Sequence, residues 1–118
     1  MEQKLKIDYK FNLEDFKKME DIEHSYFLDD NITQAEEVAR WYEENNLTCV
    51  GVRNDKDEII ASVSILPLKR EIFMKIYENK MNEADVSAEQ IEEYQDNKTY
   101  YIYLSSISID ENIEIVTR

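Results

Sequence analysis

Leu5, Ile7, Tyr9 and Phe11 alternate with Lys6, Asp8 and Lys10, the period-two pattern of a half-buried strand. From Asn12 the period changes. Phe16, Met19, Ile22 and Tyr26 recur at three- and four-residue spacing, which predicts a helix with one apolar face running to about Phe27. Asn12 is placed to cap it, and Glu14 and Asp15 favour its positive end. Beyond the polar loop Leu28-Asp29-Asp30-Asn31, Thr33 and Glu36 have the spacing of a capping box, and Ala35, Val38, Ala39 and Tyr42 mark a second helix. Asn45-Asn46 ends it.

Residues 47–53 and 58–66, joined by Asn54-Asp55-Lys56-Asp57, read as a β-hairpin with a polar four-residue turn. Its second strand carries Ile59, Ala61, Val63 and Ile65 on one face and Ile60, Ser62, Ser64 and Leu66 on the other, the pattern of a central strand. Pro67 is expected to stop that strand, because it donates no ladder hydrogen bond. Ile72, Phe73, Ile76 and Tyr77 then predict a short amphipathic helix. In the acidic stretch that follows, Ser87 and Gln90 form a second capping-box pattern, with Ile91 and Tyr94 as anchors. The apolar, β-branched and aromatic run 100–109 predicts a last strand, expected to be buried.

These elements give the order β-α-α-β-β-α-β and an α/β chain of the α+β kind, a mixed, mainly antiparallel sheet flanked by helices. At 118 residues, 1–118 is expected to form a single domain. The chain is 42% hydrophobic and 11% aromatic, enough to drive folding despite its charge.

The net charge of −13 repels phosphate backbones and anionic headgroups, so neither nucleic acid nor a membrane surface is an expected partner. Polyamines or basic peptides suit that charge, but solubility alone explains it. Cys49 is the only cysteine, which precludes an intrachain disulfide. The charged N-terminus lacks the apolar core of a signal peptide, and no apolar run reaches the ~18 residues of a membrane span. A cytoplasmic location follows as the expectation.

Local chemistry offers few catalytic candidates. His24 beside Glu20 and Glu23 has the form of a general base but reads as a surface residue. Cys49 falls in a strand without the basic neighbour that would activate it. Asp29, Asp30, Asn31, Asp55 and Asp57 lack EF-hand spacing and read as loop caps. Tyr100, Tyr101 and Tyr103 have no basic neighbours for stacking on nucleic acid and read as strand residues.

The segment Ile32-Thr33-Gln34-Ala35-Glu36-Glu37-Val38 leading to Trp41-Tyr42, the hairpin from Cys49-Val50-Gly51-Val52-Arg53 to Ile65-Leu66-Pro67-Leu68, and the strand Tyr103-Leu104-Ser105-Ser106-Ile107-Ser108-Ile109-Asp110 together resemble the front half of a GNAT-type N-acetyltransferase. The resemblance covers roughly residues 13–110. It implies transfer of acetyl from acetyl-CoA to an amine by direct attack, with a carboxylate or water taking the amine proton. It also implies that main-chain groups of Ile107, Ser108 and Ile109 hold the acetyl and pantetheine portions.

The family's glycine-containing pyrophosphate loop should follow that strand, where backbone amides at a helix start bind the cofactor. Here the chain reads Glu111-Asn112-Ile113-Glu114, and its one glycine is Gly51. The chain is therefore expected to carry the fold, shortened before that loop, without activity of its own. A cofactor-free interaction module and an unrelated acidic α+β domain are the alternative readings. A sheet shortened in this way would leave the last strand with an open edge or bare face, so self-association through it is expected.

Overall fold

The computed structural model describes residues 4–25 and 32–110. Four strands form one sheet in the order β1-β2-β3-β4, every neighbouring pair antiparallel: β1 Lys6–Asp8, β2 Cys49–Arg53, β3 Ile59–Leu68 and β4 Tyr101–Ile109. Helix α1 (Leu13–Glu23) and helix α2 (Ala35–Glu44) connect β1 to β2, and α3 (Arg70–Tyr77) with two short 3₁₀ turns, Glu83–Asp85 and Ala88–Gln90, connects β3 to β4. This is the expected order, in a fully antiparallel sheet among the described residues.

Local chemistry explains most boundaries. Asn12 Oδ1 accepts from the Asp15 amide at 2.9 Å while Asp15 Oδ2 accepts from the Asn12 amide at 2.9 Å, a reciprocal cap on α1. The helix ends at Glu23, short of the predicted Phe27; Tyr26, Phe27 and the loop through Asn31 lie outside the described residues. Asn54 Oδ1 accepts from the amides of Lys56 and Glu58, and Asp57 takes a positive φ of 65°, so the four-residue turn closes as its composition predicts. Ser87 and Gln90 form their capping box, there over a single 3₁₀ turn.

Two local expectations fail because tertiary contacts override them. The Thr33–Glu36 capping box does not form: α2 starts after Gln34, and the Ala35 amide donates instead to Glu20 Oε1 of α1 at 2.6 Å. A carboxylate from the neighbouring helix has taken the cap's place. Pro67 does not stop β3, which continues to Leu68. β2 pairs with β3 only as far as Ser64; beyond it the side of β3 away from β4 meets only the Thr48 carbonyl and an isolated bridge from Leu68 to Ile91, so the missing N–H of Pro67, which points there, interrupts no continuous ladder. The Pro67 carbonyl accepts from the Glu92 amide on that same side.

All three α-helices pack on one face of the sheet. One core cluster joins Trp41 of α2 and Ile72 and Ile76 of α3 to Leu66 and Leu68; the other joins Phe16, Met19 and Ile22 of α1 to Ala35, Cys49 and Ile59. Val38 packs against both. Trp41 Nε1 donates to the Val86 carbonyl at 2.8 Å, tying the insertion to α2. Gly51 is required by close approach, since a Cβ there would lie 2.9 Å from the Phe11 ring. Phe11 in turn packs edge to face with Tyr42, whose hydroxyl donates to the Tyr9 carbonyl and holds β1 in place.

Arg53 closes the β1 end of this face. Its guanidinium meets Asp8 at 2.8 Å and Asp15 at 2.9 Å, with further bonds to the carbonyls of Lys10 and Asp57. The two carboxylates hold the Arg53 charge firmly in place, and Arg53 holds the Asp8 pKa down at about 2. A bulge that leaves Ile60 without a partner on β2 turns Ile59 toward the helices, so Ile59 joins the core instead of sharing a face with Ala61, Val63 and Ile65 as the alternation predicts.

Among the described residues no helix lies over the outer face. Register places Ile7, Val52, Ala61 and Ile109 on one rung, Val50, Val63 and Ile107 on the next, and Ile65 with Leu104 on a third. Ile7 is 65%, Ile107 58% and Leu104 52% exposed. The first strand is thus three residues long with its apolar side chains outward, and the last strand is largely exposed, contrary to the half-buried and buried positions predicted for them. The alternation specifies a strand, but the helices cover the opposite side from its apolar positions.

Candidate functional site

A second bulge shapes the helix-facing side. Ser64 pairs with Ser106 and Ile65 with Leu104, so Ser105 is an extra residue in β4. Consecutive strand residues normally point to opposite faces. Here both serines face carboxylates: Ser105 donates to Glu83, and Ser106 lies near enough to Glu23 to favour its charged form. With Ser62, Ser64 and Thr33 they line a cavity of about 150 Å³ between the sheet and α1 and α2. That is room for about five groups of water size.

Two elements far apart in sequence deliver the carboxylates. Glu23 is the last residue of α1 and lies seven positions after Phe16, on the buried stripe of the helix. Glu83 opens the first 3₁₀ turn, which Asn82 caps by accepting from the Ala84 amide at 3.2 Å. Burial pushes the pKa of Glu83 up, and the charge of Glu23 pushes it further; Ser105, Tyr103 and Thr33 oppose that shift. Burial likewise raises Glu23, with Glu20 adding to it and Ser106 opposing it. Glu23 also stands at the negative end of α1, where the dipole disfavours a carboxylate.

Thr33 completes the site. It is 6% exposed, lines the cavity, and its hydroxyl has no hydrogen-bond partner at ordinary distance, although it is near enough to Glu83 to favour the charged carboxylate slightly. A buried orphan hydroxyl is costly unless something in the cavity satisfies it. Two carboxylates held partly out of water and an unpartnered hydroxyl suit a compact donor-rich cation, because an ammonium supplies three N–H donors and the compensating charge.

Of the residues singled out from sequence, Ile107, Ser108 and Ile109 lie in β4, whose outer edge carries no strand among the described residues. Ser108 faces the helices, its hydroxyl 3.4 Å from that of Ser62, whereas Ile107 and Ile109 project outward. The segment after Asp110, where the pyrophosphate loop is expected, lies outside the described residues; beside the end of β4, Lys18 is bound to Asp110 at 3.3 Å, and Gly51 lies in β2 against Phe11.

His24 is exposed and does not line the cavity, but it bonds Oε2 of Glu20, which does, at 3.3 Å. Cys49 is buried at the cavity floor with its pKa pushed up to about 12 by burial, and its thiol contacts Met19 Sδ at 3.8 Å, so it is no nucleophile. Among the described residues no three His, Cys, Asp or Glu side chains gather as a metal site. Asp29, Asp30 and Asn31 lie outside the described residues. Sequence reasoning missed Glu23 and Glu83 as a pair; the available signals were the seven-residue step from Phe16 to Glu23 and the adjacent serines interrupting an apolar strand.

Among the described residues no helix is long and apolar enough to cross a membrane. Comparison with protein-family models and with curated proteins returns no match to this chain.

Proposed function

We propose that the chain is the acceptor-side half of a GNAT-like N-acetyltransferase fold, a cytoplasmic amine-binding domain that does not by itself carry out acetyl transfer. The observation that carries the reading is the Glu23–Glu83 cavity opening on the bulge of β4, immediately before the segment 107–109 expected to hold the acetyl group. The element order and the antiparallel sheet also support it. A free carboxylate in this cavity binds an ammonium as a charge-assisted pair, and its raised pKa makes it a stronger proton acceptor than an ordinary carboxylate. Residues 1–118 carry no glycine after Gly51, so the family's glycine-containing pyrophosphate loop is not among them, and acetyl transfer is not expected of these residues alone.

Calorimetric titration tests the reading with two probes. Small alkylammonium ions should bind saturably, and Glu83→Gln should weaken them about tenfold or more, the loss of one charge-assisted hydrogen bond. Acetyl-CoA and CoA should not saturate. Alkylammonium binding that is absent, or equal in the Gln variant, overturns the amine site; saturable acetyl-CoA binding would mean that a cofactor site forms without the glycine loop and would overturn the half-fold reading.

A further inference from the structure

The outer face of the sheet reverses the usual arrangement. In an antiparallel sheet with one solvated face, polar residues turn to water and apolar ones to the helices. Here the helix-facing rungs include Ser62 with Ser108 and Ser64 with Ser106, while every outward rung is aliphatic. No charged residue belongs to the three outward rungs, although charged residues make up 35% of the chain. β4 adds a nine-residue edge without charge, proline or glycine, lacking the devices by which edge strands are normally blunted.

We infer that this face packs against the same face of a second copy of the chain, forming a four-on-four sheet sandwich about a two-fold axis. Charge selects the occupant. For a chain of net charge −13, an aliphatic surface without carboxylates is where two copies meet without opposing like charges. A cationic or anionic partner would find nothing on it to recognise. Size agrees: four strands at ~4.8 Å spacing and about six residues at ~3.3 Å present roughly 400 Å² in projection. With side-chain relief the dimer buries on the order of 1,200 Å² in total, the lower bound of specific interfaces. The helix-side cavity stays open in this arrangement, so the inference does not depend on the amine-binding reading.

Analytical ultracentrifugation over a concentration series, with the full chain, tests it. The wild type should show a monomer–dimer equilibrium that tightens with added salt, because salt screens the net repulsion. Val63→Lys, at the centre of the face and away from the β4 edge, should weaken the dimer at least ~100-fold, with the fold checked by circular dichroism. Ile7→Lys, at the rim where the side chain is already exposed, should weaken it about tenfold and serves if the Val63 variant does not fold. A wild type that stays monomeric throughout overturns the inference. So does a dimer that withstands these substitutions in folded protein, which would indicate edge-to-edge pairing of β4, and so does a dimer weakened by salt.

Discussion

The two faces of this one sheet differ in a way that separates folding from function. Under the helices, Leu66, Leu68 and Ile59 make the core, but the same side holds Ser62, Ser64, Ser105 and Ser106 around two carboxylates. On the outside the rungs are uniformly aliphatic and half-exposed. Packing alone would have produced the reverse, since aliphatic side chains gain most from the covered side. Polar groups retained beneath the helices and apolar ones left outside indicate that each face serves something beyond the isolated fold.

Truncation should break the comparison most visibly. Leu66→Ala, at a fully buried position of the inner face, should cost about 3 kcal/mol in equilibrium unfolding by urea, whereas Ile107→Ala, on the outer face, should change monomer stability by less than about 0.5 kcal/mol. Similar losses at the two sites would mean that the outer face is packed within the monomer. Arg53→Ala should cost about 2–3 kcal/mol in the same assay, because it leaves Asp15 and Asp8 without their cation. Glu20→Ala should cost about 1 kcal/mol by removing the cap on Ala35; no loss would show that solvent caps α2 equally well.

A smaller effect sharpens the electrostatic half of the comparison. The folded-state pKa values of Glu23 and Glu83 are raised, so the native state binds more protons than the unfolded chain, and stability should rise as pH falls from neutral through their titration. Asp8 acts oppositely: its pKa is lowered from 3.8 to about 2, so its contribution is present above 3.8 and is lost as pH falls through about 2. Glu83→Gln should therefore flatten the slope on the neutral side and leave the acid side unchanged in urea midpoints measured against pH. An unchanged neutral slope would show that Glu83 is not a strained carboxylate.

Much of the scaffold was legible because it is encoded locally. Asn12 caps the helix it precedes, Ala35, Val38, Ala39 and Tyr42 share a helix, and Asn54 closes its own turn. What escaped depends on contacts between distant segments. Glu20 replaces Thr33 as a cap across two helices, and Pro67 is tolerated because β2 has already ended. The candidate site escaped for the same reason: Glu23 and Glu83 meet only through the bulge at Ser105, and periodicity carries no register. Alternation in β4 predicted a strand but not which of its sides would be covered.

The claim that the helix-facing side is an amine site is tested most directly by following the backbone amides of Ser105 and Ser106 by NMR while a small alkylammonium ion is titrated in at a series of pH values. Saturable shifts localised there, with affinity rising as the carboxylates lose their protons, are the predicted result. Shifts that are absent, scattered over the acidic surface, or independent of pH would contradict it.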